Sequence, residues 1–247
     1  MRFRQLFIKE FKSIVPLYMI ISMLVVLWHL FILYKSHVWN NDVIFITSLL
    51  LPLLLLAAAV MGTCYYQLHT EWKSNTIFLL LSLPIRGWKV LTAKLAAVIS
   101  LLLITCLCIV ASFSIILLRT QLDDLKDNVD VADVLPTLLN ITLNGFWMGL
   151  LGMIFLLIVT QFAFLSGQLV AKLKWLVMFS AFLGTIWVVF RLSPLLSNLL
   201  HWTPDIYLGD RESDVLFLHS GPFIILLLFS IGILWLSGYI LEQEVEV

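Results

Sequence analysis

Long apolar runs alternate with short polar segments along this chain. Helices are expected rather than barrel strands, because the runs lack period-two alternation and a helix satisfies its own backbone hydrogen bonds in the hydrocarbon core. A spanning helix needs about 20 mostly apolar residues, and six runs are of about that length: 14–34, 44–66, 95–118, 138–165, 175–191 and 222–241. The pattern predicts an all-α integral membrane protein, with one transmembrane domain over residues 1–247.

Three shorter segments lie outside these runs. Residues 1–12 place Phe3, Leu6, Phe7 and Phe11 near one helical face, which predicts a helix in the membrane interface; simple basic anchoring of the first span explains the same charges. Residues 192–203 are apolar but too short to span, so we expect a re-entrant helix between spans five and six. The third segment, EWKSNTIFLLLSLPIRGWK at 71–89, has a short apolar centre between polar flanks and is expected to lie at the interface.

The composition supports the membrane assignment. Apolar residues make up 62% of the chain and charged residues 12%, against about 25% charged residues in a typical soluble domain. A soluble fold with this composition would expose large apolar patches. The membrane is therefore the expected solvent.

The distribution of charge predicts the orientation. The formal net charge is zero, but the N-terminus, residues 67–94, residues 166–174 and the C-terminal tail together carry ten Lys or Arg residues, and the opposite connections carry five. Because cytoplasmic segments are enriched in Lys and Arg, both termini and residues 67–94 are predicted to be cytoplasmic. The acidic segment 119–137 then lies outside as a solvated loop; it has no Gly to support the turn of a typical calcium site.

The chain has no motif that indicates catalysis by the chain itself. HExxH, GxSxG, CxxC and GxxxxGK[ST] patterns are all absent from the sequence. We therefore predict no catalytic residues, no bound cofactor, no metal site and no nucleic-acid partner, and an intramembrane enzyme is disfavoured. The predicted spans also contain no acidic residue, which disfavours a carrier driven by an ion gradient.

A few polar residues within the spans are candidates for a substrate path. Asn140 and Asn144 are four residues apart and share a helical face, and His29 lies in the outer part of the first span. Helix packing and interhelical hydrogen bonding are the more common explanation for such asparagines, and a packed histidine is the common alternative for His29. Both interpretations stay open at this point.

The segment EWKSNTIFLLLSLPIRGWKVLTAK resembles the permease subunits of type-2 ATP-binding-cassette (ABC) transporters, most of which are exporters. In that family a Glu follows the second span, then a polar turn, an LLSLP run, basic residues and a Lys at the start of the third span. The matching residues here are Glu71, Asn75–Thr76, Leu80–Pro84, Arg86 and Lys94. Asn75 departs from the family, in which Gly is commoner at that position.

The resemblance implies a cytoplasmic coupling helix between spans two and three that docks on a separate ATPase subunit. Its coupling residues would be Glu71, Trp72, Lys73, Asn75, Thr76, Ser82, Pro84 and Arg86. It also implies two copies of an ABC ATPase that bind ATP and Mg²⁺, and a second permease subunit that forms a homodimer or heterodimer. The expected protein is a multi-pass permease of the cell membrane, in a bacterium the plasma membrane, that exports a peptide or amphipathic compound such as an antimicrobial peptide and contacts membrane lipid. The alternative is a membrane scaffold that binds a partner without transport.

Overall fold

A computed structural model describes residues 3–36, 38–74, 87–128, 131–170, 172–208 and 216–243. Nearly all of these residues are helical. The helices are α1 (Phe3–Lys35), α2 (Asn41–Lys73), α3 (Gly87–Asn128), α4 (Val131–Gln168), α5 (Lys174–Ser197) and α6 (Gly221–Gln243). All six contain a stretch long and apolar enough to cross a membrane, so the prediction of six apolar helices of spanning length in a mainly α-helical fold is confirmed, as expected for a multi-pass membrane protein.

Several helices that are not consecutive in the sequence pack against each other. α3 contacts α1, α2 and α6, and α4 contacts α2, α5 and α6. The main apolar core joins residues of α1, α2, α3, α4 and α6, with Leu56, Leu102 and Leu157 among its fully buried members. Many other large apolar side chains are exposed, including Met19, Trp187 and Trp235, as expected for faces that contact lipid tails instead of water.

Contacts between helix ends show that the chain runs up and down through the bundle. One end, called here the charged end, brings together the start of α1, the end of α2 and the start of α3 through Glu10, Glu71 and Lys94. The end of α4 joins it where Phe164 contacts Trp72. The ends that connect α4 to α5 and the last turns of α6 lie there too, through Lys174 with Gln168 and Glu242 with Trp88. Both described ends of the chain are therefore at the charged end.

The separate interfacial helix predicted for residues 1–12 is not observed. Residues 3–35 form one continuous helix of 33 residues, about 50 Å long, which exceeds the roughly 30 Å hydrocarbon core. The stripe of buried residues begins at Leu6 and Glu10 and continues to Ile32, and Leu6 packs on Val90 and Ala93 of α3. Packing of Leu6 against α3 therefore helps to hold the first turns of α1.

The re-entrant helix predicted at 192–203 is also wrong. α5 continues through Pro194 to Ser197, and a 3₁₀ turn follows at Asn198–Leu200. Two antiparallel strands then form a ribbon, β1 (Asp205–Leu208) and β2 (Leu216–His219). Pro194 lies three residues before the end of α5, where its missing backbone donor costs the helix one hydrogen bond.

The segment 119–137 is largely helical and not a loop. α3 continues to Asn128 and α4 begins at Val131. Hydrocarbon thickness limits the apolar part of a spanning helix but not its polar extension, so the apolar runs underestimated the length of both helices. The predicted coupling helix between α2 and α3 falls mostly on residues 75–86, which are outside the described residues.

Candidate functional site

Four polar residues on three helices meet inside the charged end of the bundle. Glu10 is on α1, Gln67 and Glu71 are one turn apart on α2, and Lys94 is on α3. Residues four apart on a helix share a face, so Gln67 and Glu71 both point towards the gap between α1 and α3. These four residues are called the Lys94 cluster.

The Lys94 ammonium joins two carboxylates. Its Nζ atom lies 2.8 Å from Oε1 of Glu71 and 3.1 Å from Oε2 of Glu10. The Gln67 amide donates a hydrogen bond of 3.2 Å to the same Oε2 of Glu10. One lysine therefore links all three helices.

The Lys94 cluster is removed from solvent. Lys94 is 1% exposed, Glu10 4% and Glu71 7%. Burial of an ion costs several kcal/mol unless close partners and hydrogen bonds compensate, and charge-assisted contacts below about 3 Å are the strong ones. Lys9, which is mostly exposed, adds only a 3.9 Å contact to Glu10. Lys94 is therefore the principal cation that makes burial of both carboxylates tolerable.

Apolar packing encloses the Lys94 cluster. Leu91, one turn before Lys94, and Leu68 belong to the main core, and Trp72 meets Phe164 edge-on at 5.4 Å between ring centroids. This low-polarity surrounding strengthens the attraction between the charges. It also restricts the cluster to one geometry.

Two glycines bring α3 and α6 together beside the Lys94 cluster. A Cβ atom on Gly238 would lie 2.9 Å from Cβ of Trp88, and one on Gly87 would lie 2.9 Å from Cγ of Glu242. The backbone N–H of Trp88 donates a 3.4 Å hydrogen bond to Oε1 of Glu242. The start of α3 is therefore fixed against α6 through Gly87 and Trp88, and two turns later Lys94 joins it to α1 and α2.

The structure places only part of the predicted coupling set. Glu71 is in the Lys94 cluster, Trp72 is partly buried on Phe164, and Lys73 is exposed at the last residue of α2. The remaining coupling candidates, Asn75, Thr76, Ser82, Pro84 and Arg86, lie outside the described residues.

Asn140 and Asn144 are adjacent, as predicted, near the start of α4. Asn144 donates to the side-chain oxygen of Asn140 at 3.2 Å and to the backbone carbonyl of Tyr207 at 3.5 Å, and it accepts from the Trp147 indole at 3.0 Å. The pair thus anchors the β-ribbon to α4. These hydrogen bonds account for the polarity of the pair without a substrate.

His29 is far from the Lys94 cluster along α1 and is 2% exposed. Its Nε2 atom lies 2.9 Å from the backbone carbonyl of Ser48 on α2, and its Nδ1 atom lies 2.6 Å from the Ser112 hydroxyl on α3. Both ring nitrogens have partners, so His29 joins α1, α2 and α3 at the end opposite the charged end. The sites predicted from the sequence therefore occupy three separate places.

Sequence reasoning missed Glu10 and Gln67 and placed Lys94 only in the family motif. A signal was present for Glu10: the buried residues of α1 recur every three or four positions, and Glu10 lies between Leu6 and Ile14 on that stripe. A carboxylate within an apolar stripe indicates a buried partner. The identity of that partner on α3 requires the packing of the helices.

The arrangement is suited to joining helices rather than to chemistry. Among the described residues, no three His, Cys, Asp or Glu side chains are grouped so that they could hold a metal ion. The Lys94 cluster offers charge pairs with fixed geometry but no nucleophile beside a base.

Comparison with protein-family models, with curated proteins and with solved structures finds no match to this chain.

Proposed function

We propose that this chain is the membrane-spanning permease subunit of an ATP-driven, type-2 ABC exporter. The observation that carries the proposal concerns two residues of the family-like segment. Glu71 and Lys94 stand at its two ends in the sequence, and the pair closes to 2.8 Å in a buried site. Residues 75–86 between them, which contain the LLSLP run and are called here the strip, are therefore attached to two helices whose ends are joined by this ion pair.

This attachment gives the strip a mechanical route into the bundle. Glu71 lies two residues before the end of α2, and Lys94 lies two turns into α3. Force on the strip acts on the end of α2 and the start of α3 at once. The ion pair of Glu71 with Lys94 holds these two ends together. A separate ATPase that binds the strip would thereby move α2 and α3 as one unit.

The remaining features of the proposal follow from charge and composition. The charged end carries most of the Lys and Arg residues and is assigned to the cytoplasm, where ATP and Mg²⁺ would be bound by the partner. Two permease chains, identical or related, would enclose the path for a peptide or amphipathic compound in a bacterial plasma membrane. This chain contributes no ATPase site of its own.

Topology is tested with single cysteines in intact cells. Lys12→Cys lies at the charged end and Leu199→Cys lies in the exposed 3₁₀ turn at the other end; both are made with Cys108, the exposed native cysteine, replaced by Ser. A membrane-impermeant thiol reagent is expected to label residue 199 directly and residue 12 only after permeabilisation. The reverse pattern would overturn the orientation.

The function is tested by co-expression with ATPases that carry a phosphate-binding loop, starting with any encoded beside this chain. We expect one ATPase to co-purify and to hydrolyse ATP faster with the permease than alone. Glu71→Ala is expected to reduce this stimulation, whereas Lys12→Ala, at an exposed position of the same end and outside the Lys94 cluster, is expected to retain it. Failure of every such ATPase to associate would favour the non-transporting scaffold.

A further inference from the structure

Glu10 is an unexpected member of the Lys94 cluster. Glu71 alone can pair with the Lys94 ammonium, at 2.8 Å, and both residues belong to the helix ends that flank the strip. Glu10 is on α1, which does not flank the strip in the sequence, yet its carboxylate is 3.1 Å from Nζ of Lys94. The second carboxylate therefore adds a third helix to the pair.

Packing alone does not account for Glu10. Its neighbours on the buried stripe, Leu6 and Ile14, are apolar, and an apolar residue at position 10 would avoid the cost of burying a carboxylate. Glu10 instead keeps two directed contacts, with Lys94 and with the Gln67 amide. What the carboxylate adds over an apolar residue is a directed link between helices.

A directed link transmits movement differently from apolar contact. α1 also packs on α3 through Leu6, Val90 and Ala93, but the hydrophobic attraction behind such a contact has no preferred direction. A charge-assisted contact fixes the relative position of two atoms. Glu10 therefore holds α1 in register with Lys94.

We propose that Glu10 is a positioning residue that couples α1 to the strip through Lys94. Movement of the strip displaces Lys94 with the first turns of α3, and the Glu10 carboxylate follows the ammonium and carries α1 with it. This inference rests on the proposed function for the force that moves the strip. It assigns α1, which does not flank the strip in the sequence, to the moving part of the permease.

The experiment uses the full permease in complex with its ATPase, in lipid nanodiscs. Spin labels are attached to cysteines at Lys12 on α1 or at Lys89 on α3, each paired with Trp175 on α5, in a background with Cys108→Ser. All three labelled positions are exposed and near the charged end. Both distances are expected to change when ATP binds.

Glu10→Gln preserves shape and the Gln67 contact but removes the charge. We expect the ATP-dependent change in the distance between the labels at residues 12 and 175 to be at least halved, while the change in the distance between residues 89 and 175 is retained. Lys9→Gln is the matched control, because Lys9 is exposed and makes only a long, 3.9 Å contact with the same carboxylate. This substitution is expected to leave both distance changes intact.

The outcomes separate the two proposals. A full change at residue 12 in Glu10→Gln, or an equal loss at residues 12 and 89, would overturn the role of Glu10 while leaving the ATPase complex intact. Absence of any ATPase complex would overturn the proposed function and this coupling together. If Glu10→Gln does not fold, Glu10→Asp, which keeps the charge but withdraws it by one carbon–carbon bond, is expected to give the same selective loss at residue 12, and a full change there would overturn the role.

Discussion

Replacement of Lys94 by methionine tests the energetic role of the Lys94 cluster. Methionine is unbranched, similar in length and adaptable in packing, so Lys94→Met removes the charge with little change in volume. The carboxylates of Glu10 and Glu71 then lose the cation that lies 3.1 and 2.8 Å away. Both remain within a site that is nearly closed to solvent.

The size of the effect follows from that geometry. Removal of one partner from a buried ion pair destabilises a protein by about 3–5 kcal/mol, because the remaining charge is uncompensated. Lys94 serves two carboxylates, so the upper half of that range is expected. Glu10→Gln leaves the 2.8 Å pair between Lys94 and Glu71 and should cost clearly less.

The control is Lys89→Met, the same change on the same helix. Lys89 is exposed, and its ammonium lies 5.6 Å from the ring centroid of Trp88, a contact worth about 0.5–1 kcal/mol. The free energy of unfolding is measured by titration of sodium dodecyl sulfate into mixed micelles, with tryptophan fluorescence as the signal. Equal destabilisation by the two substitutions would refute the assignment of Lys94 as the cation that sustains the buried carboxylates.

Two further substitutions test contacts between helices, each with a control on the same helix and with unfolding as the measurement. Gly238→Ala places a methyl group 2.9 Å from Cβ of Trp88 and should cost about 1–3 kcal/mol, whereas Gly232→Ala enters open space and should be neutral or stabilising; equal effects would contradict the close approach of α3 and α6. Ser112→Ala removes the 2.6 Å interhelical hydrogen bond to the α1 imidazole and should cost about 0.6–1.7 kcal/mol. Ser114→Ala, which loses only a bond to its own helix, should stay within about 0.5 kcal/mol, and an equal loss there would contradict the interhelical role.

The six spans could be predicted because hydrocarbon thickness imposes a length on apolar runs. Each of the six runs corresponds to an apolar stretch of one helix in the structure. The same criterion says nothing about polar extensions, and for this reason the continuation of α3 to Asn128 and of α5 to Ser197 was not predicted. Length alone also cannot distinguish a re-entrant helix from the last turns of a longer one.

The candidate site was only half predicted, for a physical reason. The family-like motif includes Glu71, but Glu10 lies in the segment predicted to be interfacial, and the predicted spans contain no acidic residue. In the structure Glu10 and Glu71 are both buried within helices, because Lys94 of a third helix compensates them. Such compensation depends on residues that are distant in the sequence, and a pattern along one helix cannot reveal it.

Contact between the strip and an ATPase is the most direct test of the central claim. A photo-crosslinking amino acid is placed at Ser82, in the middle of the LLSLP run, and as a control at Leu199, which is exposed in the 3₁₀ turn at the opposite end. Illumination of membranes that contain the permease and the ATPase is expected to join the ATPase to position 82 and not to position 199. Absence of a crosslink at position 82 in a preparation in which the two proteins co-purify would contradict the account of this strip as the docking segment.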